Sequence, residues 1–101
     1  MAKLNVSELI LQEIQSIIKN LYPQAIVWAY GSRVNGTAHE GSDLDLVIVS
    51  FGKEMGDISK IKNTFTDSNI PFLIDIHYFS NLPQSFQDEI KKNYLVILEG
   101  K

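Results

Sequence analysis

With 101 residues, 45% of them hydrophobic and 21% charged, the chain has the makeup of a folded globular domain, with apolar material for one compact core and none left for a second. Nine Lys and Arg against twelve Asp and Glu leave a net charge of −3, which argues against the basic stripe that binding to a nucleic-acid backbone or template needs. There is no cysteine, so disulfide scaffolds and thiolate zinc sites are excluded, and the two histidines, His39 and His77, cannot make a zinc site alone.

No apolar run approaches the roughly 20 residues of a membrane span, and Glu8, Gln12 and Glu13 interrupt the opening before a signal-peptide core could form. The expectation is one soluble, cytoplasmic domain over residues 1–101. Val6, Ile10, Ile14, Ile17, Ile18 and Leu21 recur at helical spacing, with Asn5 and Glu8 as a capping pair and Tyr22-Pro23 as the stop. Ala25 to Tyr30 is a continuous apolar run of strand length that ends at Gly31-Ser32. Arg33 to Ser42 reads as a short helical turn and a loop.

Leu44 to Ser50 is the second predicted strand, and its alternation places Asp43, Asp45, Val47 and Val49 on one face. Asp57 to Thr66 carries Ile58, Ile61 and Phe65 at helical spacing. Phe72 to Phe79 is the third strand, with Leu73, Asp75, His77 and Phe79 sharing a face. A last helix opens at Ser80-Asn81-Leu82-Pro83, and Tyr94 to Leu98 forms an apolar tail, either strand or packed extension. This order implies an α/β layer structure with a small sheet.

Three carboxylates, Asp43, Asp45 and Asp75, lie inside apolar strand runs. Crowded anions on a partly buried face repel and lose hydration, so they need cations or donors to compensate them. Hard oxygen ligands of this kind suit Mg²⁺ or Mn²⁺. Taken singly, each piece has a plain alternative: Asp-x-Asp as a solvated strand face, Gly-Ser as an ordinary turn, Arg33 as a solvated first-turn residue, His77 as a packed histidine. Trp28 and the phenylalanines read as core rather than as a base-stacking platform. Together, an apolar strand, Gly31-Ser32 opening a helical turn, a strand beginning Asp43-x-Asp45 and a third strand with Asp75 supply a phosphate cradle and a metal cage.

The stretch Tyr30-Gly31-Ser32-Arg33-Val34-Asn35-Gly36, the ten-residue gap, and Ser42-Asp43-Leu44-Asp45-Leu46 resemble the signature of the polymerase-β-type nucleotidyltransferase superfamily, most nearly its minimal branch. Asp75 stands where that family places its third carboxylate. The resemblance implies a three-stranded mixed sheet covered by about four helices, in a palm-like nucleotidyltransferase fold. It further implies transfer of a nucleoside monophosphate, AMP from ATP, to a hydroxyl. Asp43, Asp45 and Asp75 would be catalytic and hold two Mg²⁺ ions, or Mn²⁺, while Gly31, Ser32, Arg33 and Ser42 would bind the nucleotide. The family also implies a helical HEPN-type partner carrying the acceptor tyrosine, as toxin to this antitoxin, and leaves room for a homo-oligomer. Two alternatives stand beside this reading: a non-catalytic module that neutralises its partner by covering it, and a transferase for a small molecule such as an aminoglycoside.

Overall fold

The computed structural model describes residues 4, 6–35, 43–53 and 55–100. Helix α1 spans Glu8–Leu21, and its N-cap is Ser7, whose Oγ accepts a hydrogen bond from the Ile10 amide at 3.3 Å. The expected Asn5 cap lies outside the described residues. Glu8 in the first turn and Lys19 in the last suit the helix dipole. Tyr22 caps the far end, and its hydroxyl accepts a hydrogen bond from the Asp57 amide at 2.7 Å. Asp57 in turn caps helix α3, Ile58–Thr66, by accepting from the Ser59 amide at 2.8 Å. One tyrosine therefore ties the end of α1 to the start of α3.

Strand β1 is Ile26–Tyr30, α2 is the short helix Ser32–Asn35, β2 is Leu44–Ser50 and β3 is Ile74–Tyr78. A 3₁₀ turn, Phe79–Asn81, leads to α4, Gln84–Lys92, and the chain closes with β4, Leu95–Glu99. The sheet order is β3-β2-β1-β4. β1 pairs antiparallel with both β2 and β4, whereas β2 and β3 run parallel because α3 crosses over between them.

The expected three-stranded sheet is thus corrected to four strands. The apolar tail has somewhere to pair, since β1 would otherwise expose one edge, and Leu98 and Val96 come into register with Val27 and Trp28. The register shifts between those two pairs, and the Ile97 carbonyl beside the shift accepts a hydrogen bond from the Gln15 side-chain amide at 3.0 Å.

The two faces of the sheet have different fates. On one, Val27, Ala29, Leu44, Leu46, Ile48 and Ile76 meet Ile14 and Ile18 of α1 and Ile61 and Phe65 of α3 in the main core. On the other, Phe79, Leu82 and Ile90 pack on Trp28, Tyr30, Val47 and Val49 in a smaller cluster. Among the described residues no helix is long and apolar enough to cross a membrane.

Candidate active site

The second face is built as rows across the strands. Tyr30 of β1, Asp45 of β2 and Asp75 of β3 are register partners, so their side chains leave the sheet side by side on strands about 4.8 Å apart. The next row holds Trp28, Val47 and His77. Asp43 precedes β2 with the same parity as Asp45 and is exposed. The 3₁₀ turn and α4 cover the apolar row, and the acidic row stands at the end where β2 begins.

Crowding shows in the electrostatics. Burial, then the charges of Asp75 and Asp43, push the Asp45 carboxyl above its ordinary value, and His77 pulls it partly back. Tyr30 is buried with the edge of Phe86 against its ring, centroids 5.9 Å apart. Burial, then Asp45 and Asp75, push its phenol up to about 12. An ultraviolet titration of the four tyrosines is therefore expected to show one ionising about two units late. Folding stability should fall between the ordinary tyrosine value and about 12, because there the unfolded chain ionises this phenol and the folded chain does not. A Tyr30→Phe chain that retains the late step would contradict the assignment.

Gly31 follows β1 with φ +84°, and its carbonyl accepts from the Val34 amide at 3.0 Å as α2 begins. A Cβ at this position would land on Asp45 Oδ2, so the glycine lets the turn lie directly against a site carboxylate. Ser32 opens α2.

Arg33, expected on the phosphates, is 9% exposed, and its guanidinium carbon lies 4.1 Å from the centre of the Phe72 ring. Stacking of this kind uses the face of the guanidinium and leaves its in-plane N–H groups as donors. Ser42 lies outside the described residues. Trp28 stacks on Tyr94 at 4.1 Å and meets Phe79 edge-on at 5.5 Å, within an aromatic cluster.

Asp75 is engaged along its own strand: His77 Nε2 stands 3.1 Å from Asp75 Oδ1, both side chains being about half exposed. Among the described residues, no group of three Asp, Glu, His or Cys side chains is arranged to hold a metal ion as it stands. The donor chemistry nevertheless fits a hard divalent cation: oxygen ligands, no thiolate, and like charges that already disfavour ionisation of Asp45.

Sequence reasoning brought the three aspartates to one face but missed Tyr30 as a member of their row. Parity places Tyr30 on that face, but the strand register that sets it opposite Asp45 is a property of the fold. The His77 contact had a readable signal, since residues two apart on a strand share a face.

A family model described as Polymerase beta, Nucleotidyltransferase matches residues 12–101, a span that includes Gly31, Ser32 and all three aspartates. The probable protein adenylyltransferase MntA of Haemophilus influenzae is 36% identical over 101 residues, covering 97% of this chain and 87% of that protein. A solved structure described as a toxin-antitoxin with AMP-PNP matches with a TM-score of 0.65 at 15% identity, over 87% of this chain and 72% of the other, which is a likeness of fold. With the family match over nearly its whole length and a relative of similar size, this chain belongs to the polymerase-β-type nucleotidyltransferases.

Proposed function

We propose that the chain is a minimal, single-domain protein adenylyltransferase that moves AMP from ATP to a tyrosine hydroxyl on a HEPN-type toxin and serves as its antitoxin in the cytoplasm. The observation that carries the reading is the acidic row, with Asp45 held against the Gly31 turn. The adenylyltransferase named among its relatives and the toxin-antitoxin fold neighbour support the choice of nucleotide and partner.

In this reading the backbone at Gly31 and Ser32 receives the β- and γ-phosphates, where glycine permits close approach. Asp43, Asp45 and Asp75 would hold Mg²⁺, or Mn²⁺, Asp75 through the oxygen that His77 does not contact. When bound, the cations supply charge stabilisation for the α-phosphoryl group and for the departing pyrophosphate. Asp75 accepts the acceptor's hydroxyl proton. The new bond joins that oxygen to the α-phosphorus, and the bond to the β-phosphate oxygen breaks. Positioning and electrostatics carry most of the rate, so a small domain suffices once a partner presents the hydroxyl.

The test is co-expression with the product of the neighbouring gene, followed by mass spectrometry of the co-purified protein after incubation with ATP and Mg²⁺. An added AMP on a tyrosine is the expected result. Neutralisation of the toxin by a complex carrying no added nucleotide would favour the non-catalytic module, and rapid adenylylation of a free aminoglycoside would favour the small-molecule transferase.

A further inference from the structure

Asp75 lies on β3, at one side of the sheet, so among the described residues it has a strand neighbour in its row on one side only, and that neighbour is Asp45. Its side chain is half exposed. A carboxylate in this position is pushed by like charge and lacks the close packing that fixes a rotamer. His77, two residues along the same face, brings Nε2 to 3.1 Å from Asp75 Oδ1, and its own register partner, Val47, offers no polar group in competition.

We propose that His77 is a positioning residue, which grips Asp75 by Oδ1 and thereby fixes the direction of Oδ2, the oxygen left for the acceptor hydroxyl and a divalent cation. The inference rests on the nucleotidyltransferase reading above. An Nε2–H donor is all the contact requires. Because a polar contact this exposed adds little to folding stability, its effect falls on the geometry of the carboxylate. In many metal sites a carboxylate orients a metal-bound histidine through an outer contact, and here the histidine is the outer partner and the carboxylate the ligand. A group ordered in advance spares the reaction the cost of ordering it later.

The experiment compares the full chain with His77→Ala and His77→Gln, reading Mn²⁺ affinity without nucleotide by electron paramagnetic resonance, and kcat and KM in AMP transfer to the co-purified partner protein. His77→Ala is expected to weaken Mn²⁺ binding roughly tenfold and to lower kcat by a similar factor, with KM for ATP within about twofold. His77→Gln, whose amide N–H replaces the donor, is expected to recover most of both, and thermal melts of all three should coincide. Unchanged Mn²⁺ affinity and kcat in His77→Ala would overturn the proposal. So would tighter Mn²⁺ binding, which would make His77 a competitor of the cation, or a glutamine variant no better than alanine. A wild-type chain that binds Mn²⁺ but transfers no AMP to the co-purified partner protein removes the enzymatic reading, while the Mn²⁺ measurements still decide the role of His77; a wild-type chain that binds no Mn²⁺ overturns the proposal.

Discussion

Asp43→Asn and Asp45→Asn are each expected to lower AMP transfer by about a thousandfold or more, while the cation-free chain melts no lower than wild type. The two halves of this expectation share one cause. Asp45 is partly buried beside two other anions, and those surroundings raise its carboxyl above the ordinary value. A group whose folded value is raised contributes stability at low pH that is lost as pH rises through that value. At neutral pH the ionised wild-type site is therefore a liability to the empty fold, and neutralising one charge relieves it. Melting temperature against pH, measured in a chelator, should fall for the wild type on leaving the acid range, and Asp45→Asn should lack that step. Undiminished turnover in both variants would remove the carboxylates from the reaction, and a large loss of melting temperature would make them structural.

Gly31→Ala should be nearly as damaging to activity, by a different route. Its φ of +84° costs an alanine roughly 1–2 kcal/mol. The added methyl would also clash with Asp45 Oδ2, so the carboxylate or the turn must move. A displacement of about 1 Å at a reacting centre costs on the order of a hundredfold in rate. Gly52 supplies the control: it too has a positive φ, +96°, and a methyl there would meet the Gln24 side chain, well away from the aspartates. Gly52→Ala should therefore lower the melting temperature, by about 4–8 °C for each kcal/mol lost, and leave turnover of the folded fraction intact. Equal activity loss in the two variants would mean that Gly31 acts through stability alone.

The parts of this molecule that were legible in its sequence are those written in short-range periodicity. Alternation along Leu44–Ser50 and Ile74–Tyr78 brought Asp45, Asp75 and His77 to the correct face, and helical spacing found Ile14, Ile18, Ile61 and Phe65 as core. What escaped depended on pairing between distant segments. Tyr94 to Leu98 has the same apolar pattern whether it packs as an extension or pairs as a strand, and only the open edge of β1 decides the matter. The stacking of Arg33 on Phe72, 39 positions away in the chain, likewise depends on pairing between distant segments. Ser7 as the cap of α1 is a local choice among neighbouring polar residues, which spacing alone does not resolve.

The Gln15 contact bears on how the protein behaves in a crowded solution. Leu95-Val96-Ile97-Leu98 is a short, uncharged, β-prone run at the rim of a sheet, and Val96 is half exposed, the kind of segment that recruits like strands into fibres. Its backbone is not a regular ladder, because the register breaks between Val96 and Leu98 and the amide of Gln15 already occupies the Ile97 carbonyl. An incoming strand would meet a bent rim with one acceptor taken and Glu99 at its end. The segment best suited by composition to seed aggregation is thus a poor template in the folded chain, and a single helix side chain contributes to that protection.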